Sequence, residues 1–323
     1  MPDFFAEQKK NRIKTWFLVL FFILFVGALG FGVDYYFSIR EGGSVFAFPI
    51  FTAAALAIAV VHSFTAYFSG SKIVLSSLKA RLADPSDLSE MTAIDVVKEM
   101  SLACGIPAPR VYIIPDDDPN AMATGRSPKH AYIGITKGLL DMMNREELQG
   151  VVAHEISHIR NYDTLVMTMV SALAGTIVLL SDWLRRTAFF TYDSGKRRKR
   201  RSRGGGGGGE AIVLLLILLI SILAPIIARL LALAVSRTRE YLADSSAVQL
   251  TRNPAGLASA LRKIATWGGV IEVANQGTAH LFISDPLRRK LSEKEGLFAD
   301  LFSTHPPIMK RIEILERMAH MRY

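Results

Sequence analysis

The sequence predicts an α-helical integral membrane protein with about four transmembrane helices and a discontinuous, mainly helical α+β domain outside the bilayer. Three observations predict it. Four apolar runs punctuate the chain, two polar stretches separate and follow them, and His154-Glu155-Ile156-Ser157-His158 closes a helical pattern in the first polar stretch.

Residues 1–12 form an N-terminus carrying Lys9, Lys10 and Arg12, and the uncharged run at 15–33 sets a first transmembrane helix over 13–33. A hydrocarbon core about 30 Å thick needs roughly 20 helical residues. A cleavable signal peptide shares the basic start, but this run exceeds the roughly 7–15 apolar residues of such a leader. It also runs into Asp34-Tyr35-Tyr36, not a small-residue cleavage site. The uncharged run 42–71 has its apolar centre at 45–68, the second transmembrane helix.

Residues 69–163 are polar and read as the first part of the domain outside the bilayer. Over 86–104 the apolar residues Leu88, Met91, Ile94, Val97 and Leu102 have helical spacing. Residues 110–114 and 130–135 are β-rich, and the turn-forming cluster 115–119 lies between them. Residues 145–160 read as a helix with Asn144 as N-cap and Leu148, Val151, Val152 and Ile156 as its apolar stripe. The third transmembrane helix covers 164–184, a basic, glycine-rich linker 185–210, and the fourth transmembrane helix 211–235. Arg229 and Pro225 are tolerable there, because a long Arg reaches the interface and bilayer helices accommodate proline. Residues 236–323 are the second part of the domain, with helices expected at 241–250, 254–266 and 307–320.

The net charge of +9 could suggest a nucleic-acid partner, yet much of it sits between Arg185 and Arg203, ahead of the glycine tract 204–209. That composition reads as a solvated linker that touches anionic lipid head groups at most, and no nucleic-acid recognition module accompanies it. Even numbers of crossings put the N-terminus and both polar stretches on one side. The basic residues before the first span orient that side toward the cytoplasm. The 185–210 loop conflicts with this rule, so the early spans dominate insertion or the third and fourth form a shallow hairpin. The single cysteine, Cys104, cannot form an intrachain disulfide, which fits a reducing compartment.

On a helix, His154 and His158 share a face one turn apart and can bind one cation through their ring nitrogens, with Glu155 beside them as general base. This points to a zincin-like metalloprotease domain holding one zinc ion per chain. A catalytic zinc takes three protein ligands and keeps one position open, so a third donor must come from elsewhere. Glu240, just after the fourth apolar run, is the better placed donor, and it could equally pair with a nearby Arg. Asp163 either orients an imidazole from behind or is simply a helix-end carboxylate at the membrane boundary.

His154-Glu-Ile-Ser-His158-Ile-Arg-Asn-Tyr-Asp163, Arg239-Glu-Tyr-Leu-Ala-Asp244 and Ser303-Thr-His-Pro-Pro307 resemble, in order, three signatures of the HtpX-type membrane zinc metalloproteases of the M48 family. Pro119-Asn120-Ala121-Met-Ala-Thr-Gly125 resembles that family's substrate-strand segment. The resemblance implies His154, His158 and Glu240 as zinc ligands, Glu155 as catalytic base, and Asp244 as a supporting carboxylate one turn beyond Glu240. It also implies that His305 helps to stabilise the oxyanion, although His-Pro-Pro is an ordinary helix-entry sequence too. Arg311 matches a basic position after that motif, and a solvated helix face explains it equally well. The basic, glycine-rich stretch at 192–210 has no counterpart role.

An extended substrate is expected to pair with an edge strand around 120–125 or 131–135, with Asn120 and Ala121 as substrate contacts; Asn120 could instead be a turn residue. The resemblance further implies cleavage of unfolded or misfolded membrane proteins at the cytoplasmic face of a bacterial inner membrane. Competing readings are a prenyl-protein processing protease, a catalytically silent zinc-binding scaffold and a metal transporter. An intact Glu155 argues against the scaffold. The uncharged cores argue against the transporter, because they offer only His62 as a ligand.

Overall fold

In the computed structural model, the described residues are 4–41, 49–173, 175–176, 237–267, 269, 271, 274, 278–284 and 306–320. The linker 185–210, the expected fourth transmembrane helix at 211–235, residues 177–184 of the third and His305 lie outside them. The chain divides into two compact units. One comprises Met1–Thr15, Tyr67–Ala172 and Ala232–Tyr323, the other Trp16–Ala66 and Leu173–Leu231.

Two helices among the described residues are long and apolar enough to cross a membrane, with candidate spans Ala6–Tyr35 and Ile50–Ser77. The first lies within α1 (Phe4–Glu41) and the second is α2 (Ile50–Ser77). Both helices outrun the spans expected at 13–33 and 45–68. Lys, Arg, Gln and Glu are good helix formers, so α1 continues through its basic start, whereas Pro49 sets the later beginning of α2. In the second unit the two helices meet at small residues, since a Cβ on Gly30 would fall 2.7 Å from the Phe51 carbonyl oxygen. The Asp34 carboxylate accepts from Phe51 N at 3.1 Å and Thr52 N at 2.7 Å, capping the first turn of α2 from the neighbouring helix. Trp16, Phe17, Leu20, Leu24, Ile58, Val61 and Phe64 are exposed on these helices, as lipid-facing positions would be.

The first unit holds a four-stranded sheet in the order β1-β2-β4-β3. Its strands are β1 (Arg81–Leu82), β2 (Arg110–Ile114), β3 (Ala121–Ser127) and β4 (His130–Thr136). The β2 and β4 strands are parallel, and β3 pairs antiparallel with β4 in a hairpin. Of the two strands expected to be available for substrate pairing, 131–135 is therefore central and closed on both sides, and only β3 is an edge. Gly125 has φ +154 and a Cβ there would lie 2.5 Å from the His130 carbonyl oxygen, so the hairpin irregularity requires glycine.

The helix expected at 86–104 forms as α3 (Leu88–Cys104), capped by Asp87, with Gly105 in the left-handed region at its end. Its buried face differs from the expected stripe. Ala93, Val96, Val97 and Met100 face inward, whereas Leu88 is 81 % and Leu102 83 % exposed. Large apolar residues drew the expectation, but a helix lying close to a sheet and a second helix favours small ones on the contact face. Glu90 ties β1 to α3, pairing with Arg81 and accepting from Asp84 N at 2.7 Å.

After α4 (Lys137–Met142), helix α5 (Arg145–Arg160) runs through the centre of the first unit, packed against α3 and β3. Asn144 and Glu147 form a reciprocal capping box, with Asn144 Oδ1 accepting from Glu147 N at 2.9 Å and Glu147 Oε2 from Asn144 N at 2.9 Å. Glu147 also accepts from Lys263 Nζ at 2.7 Å and Ser259 Oγ at 2.6 Å. The chain turns at Asn161–Tyr162 and resumes as α6 (Asp163–Leu173). Then come α7 (Arg237–Thr251), α8 (Pro254–Trp267) and α9 (Ile308–His320). Both α7 and α8 pack on α5, and α9 packs on α8. The main core joins Val96, Ile133, Ile135, Val152, Ile156, Leu261 and Ile312.

Candidate active site

Two helices supply the centre of the site. His154 and His158 lie four apart on α5, and Glu240 and Asp244 four apart on α7, so each pair presents one face to the other helix. All four are buried, with exposures of 1–4 %. The gap between α5 and α8 is set by Gly150, where a Cβ would lie 2.9 Å from Leu257 Cα.

The ring orientations follow from the carboxylates behind them. His154 Nδ1 lies 2.9 Å from Asp244 Oδ1 and His158 Nδ1 lies 3.0 Å from Asp163 Oδ2. A carboxylate accepts, so each Nδ1 carries a proton and donates it, leaving each Nε2 with its lone pair. Those two Nε2 atoms are 3.2 Å apart. Glu240 Oε2 is 3.6 Å from His154 Nε2, and Glu240 Oε1 is 3.4 Å from His158 Nε2. Three acceptors thus converge within 4.8 Å of one another. Such convergence is repulsive unless a metal ion or a proton lies between the atoms. A tetrahedral ion with bonds of about 2.0–2.1 Å has ligand-to-ligand edges of about 3.3–3.4 Å, so the observed spacings and the two-nitrogen, one-oxygen set fit a metal ion.

The charge balance points the same way. Burial disfavours a charged His154, yet Asp244 and Glu240 more than offset it and hold its pKa up to about 9. The cluster demands positive charge at this spot. Asp244 is pushed down to about 2 although burial opposes it, because Arg311 and His154 stabilise its charge. Glu155 moves the other way. It is 1 % exposed, burial raises its pKa above the usual carboxylate range, and its Oε1 accepts no hydrogen bond among the described residues. A carboxylate held this way has the raised basicity that a general base needs.

Arg311 is the functional residue that the spacing argument undervalued. It is not on a solvated face but 1 % exposed on α9. Its Nε and Nη2 donate to Asp244 at 2.8 and 2.7 Å, Nη1 donates to the Ile283 carbonyl at 2.8 Å, and Nη1 lies 3.6 Å from Glu240 Oε2. The signal available in the sequence was the row Ile308, Arg311, Ile312, Leu315, which sets the arginine on the apolar face of its helix.

Asn120 and Ala121 lie at the start of β3, and the chain itself engages them. Asn120 Nδ2 donates to the Ser284 carbonyl at 3.0 Å, Ile283 N donates to the Ala121 carbonyl at 2.9 Å, and Met122 bridges Phe282. His280 Nε2, 3.1 Å from the Met167 carbonyl, fastens the same segment to α6. The structure thus gathers His154, Glu155, His158, Asp163, Glu240 and Asp244 at one buried centre. It sets Asn120 and Ala121 on the neighbouring strand edge, and His305 lies outside the described residues.

The model for Peptidase family M48 matches residues 88–319. A protein named Protease HtpX homolog from Thermoanaerobacter pseudethanolicus is 44% identical over 96% of this chain and 96% of its own length. Another of that name, from Caldanaerobacter subterraneus subsp. tengcongensis, is 42% identical over the same shares. Among solved structures, S. mikatae Ste24p is similar with a TM-score of 0.47 and 16% identity, over 95% of this chain and 66% of that one. With its paired histidines, facing carboxylate and buried base on one frame, and with relatives this close along nearly its whole length, the chain belongs to peptidase family M48 as an HtpX-type protease.

Proposed function

We propose that the protein is a zinc-dependent endopeptidase that hydrolyses peptide bonds of misfolded or damaged membrane proteins at the cytoplasmic face of a bacterial inner membrane. The observation that carries the chemistry is the convergence of His154 Nε2, His158 Nε2 and Glu240 on one point, beside a buried Glu155. A bound zinc ion would polarise the scissile carbonyl and lower the pKa of a water toward about 7. His154, His158 and Glu240 hold the ion. Glu155 takes the proton of the attacking water and returns it to the departing amine. Asp244 and Asp163 keep the two imidazoles in the tautomer that leaves Nε2 free, and Arg311 balances the charge of Asp244 and Glu240. His305, two positions before Pro307 in the sequence, donates to the carbonyl oxygen as negative charge grows on it, as the resemblance implies.

The substrate lies extended along the outer edge of β3. Since the Ala121 carbonyl faces that edge, the period of two turns the Ala123 peptide groups the same way. Asn120 and Ala121, engaged by Ser284 and Ile283, mark where the chain's own segment occupies the edge, and Thr168 accepts from Gly125 N at 3.2 Å further along, so the substrate pairs at Ala123 between them. Backbone pairing recognises any extended chain, which suits unfolded substrates. The membrane reading is supported by the two apolar helices, and the cytoplasmic orientation by Lys9, Lys10, Arg12 and Lys14 before the first apolar run.

The test compares the zinc-loaded protein with its Glu155→Gln variant on an unfolded substrate. The variant is expected to keep its metal and lose about 10²–10⁴-fold in turnover, the usual worth of a general base. Equal cleavage by two proteins of equal zinc content would sink the assignment of Glu155.

A further inference from the structure

The N-terminal part of α1 belongs to the same compact unit as α5, and one of its residues reaches the metal-donor cluster through a single intermediary. Asn11 is 2 % exposed. Its Nδ2 donates to the Asn161 carbonyl at 2.8 Å and to Asp163 Oδ1 at 2.8 Å. The other oxygen of Asp163 accepts from His158 Nδ1 at 3.0 Å, and Arg239 Nη1 donates to Oδ1 at 3.0 Å. The neighbours of Asn11 on the same helix face grip the same turn. Gln8 Nε2 donates to the Arg160 carbonyl at 2.9 Å, and Arg12 Nη2 donates to the Tyr162 hydroxyl at 2.7 Å with its guanidinium 4.4 Å from the ring centroid.

What this face holds is a strained turn. Tyr162 has φ +61, a left-handed conformation that costs a bulky residue about 1–2 kcal/mol. The strain has a geometric return. In an unbroken helix, a residue five positions on lies about 140° around the axis, too far round to meet His158. The break at Asn161–Tyr162 brings Asp163 back against the imidazole, and Asn11 fastens Asp163 there.

We propose that Asn11 is a positioning residue for the metal centre, holding Asp163 so that His158 presents Nε2 to the ion. The proposal rests on the assignment of His154, His158 and Glu240 as metal donors. The rival role for Asn11 is a plain anchor of α1 on the end of α5.

The full-length protein in detergent separates the two by a double-mutant cycle. Zinc affinity is measured by competition with a chromophoric chelator, and ligand geometry by the visible absorption of the cobalt-loaded protein. The cycle uses the parent, Asn11→Ala, Asp163→Ala and the double variant. Asn11→Ala is expected to weaken zinc by about tenfold, as loss of a group supporting a metal-bound histidine does, and to alter the cobalt spectrum. In the Asp163→Ala background it should do nothing further. Equal weakening in both backgrounds, or parent-like affinity and spectrum for Asn11→Ala, overturns the proposal. If Asn11→Ala does not elute as a monodisperse protein, Asn11→Ser goes through the same cycle under the same criteria. His158→Ala is the control: parent-like zinc binding by it would overturn the donor assignment itself, a failure distinct from that of Asn11.

Discussion

Arg311 shows how much can hang on one side chain. Its guanidinium balances Asp244, faces Glu240 and holds the Ile283 carbonyl, all at 1 % exposure. Replacing it by Met leaves Asp244 charged and buried without its arginine counterion, only the His154 imidazole still donating to it, so Arg311→Met should destabilise the fold by about 3–5 kcal/mol, read as a lowered midpoint in thermal or denaturant unfolding. Glu240→Ala has the opposite profile. It removes a metal donor while Asp244 still faces both His154 and Arg311, so the metal-free protein should stay folded while its zinc content, read by elemental analysis, falls below stoichiometric. Single residues were unequally legible beforehand. The histidine pair announced itself by local spacing, whereas Glu240 was ambiguous by spacing and Asp244 entered only through the resemblance of Arg239–Asp244 to a family signature. Arg311 was only half legible: its place on the apolar row of α9 was local, but its carboxylate partners come from α7, which no local pattern names. Asn11 was silent, as a polar residue at the start of an apolar helix reads as solvated.

At the scale of elements, α5 combines a reciprocal cap, a close approach and a strained end. Gly150→Ala puts a methyl group against the Leu257 backbone, so α8 must move outward. The expected cost is about 1–3 kcal/mol of stability, with weaker zinc retention because α7 moves with its neighbour. The cap gives a pH signature. Burial raises the Glu147 pKa, but hydrogen bonds from Lys263, Ser259 and Asn144 outweigh it, and the net value falls below 4.5. Glu90, paired with Arg81, is lowered as well. A carboxylate with a depressed folded pKa stabilises the fold fully above its unfolded value and ceases to do so as pH falls through the folded one. Melting temperature should therefore drop as pH falls below about 4.5, and the drop should be shallower in Glu147→Gln. Helix α5 was legible to its cap residue because capping chemistry is local. The buried face of α3 was not, since shape and closeness of packing decided it against the larger side chains. Strand β3, built of small residues with no β-branched alternation, entered only through its resemblance to a substrate strand.

For the whole molecule, the first unit joins Met1–Thr15 to both polar stretches. The N-terminus and α5 must therefore face the same compartment. With Cys104, the single cysteine, changed to Ser, Lys9→Cys and Lys98→Cys should both react with a membrane-impermeant maleimide in inside-out vesicles, and Gly43→Cys only in right-side-out ones. Reaction of Lys9→Cys and Lys98→Cys from opposite sides would refute the shared compartment. The apolar runs were legible by composition alone, whereas the bond between chain start and catalytic helix was not, because nothing local to residues 8–12 names a partner more than 140 positions away. That bond also bears on timing. Ribosomes deliver Asn11 before the histidines, the histidines before Glu240, and Glu240 before Arg311. A half-made chain therefore owns a metal-seeking helix without its third donor, its counterion or the segment that Arg311 pins to β3. Order of synthesis thus separates the helix that seeks the ion from the residues that complete and balance its site, and that helix must wait for both.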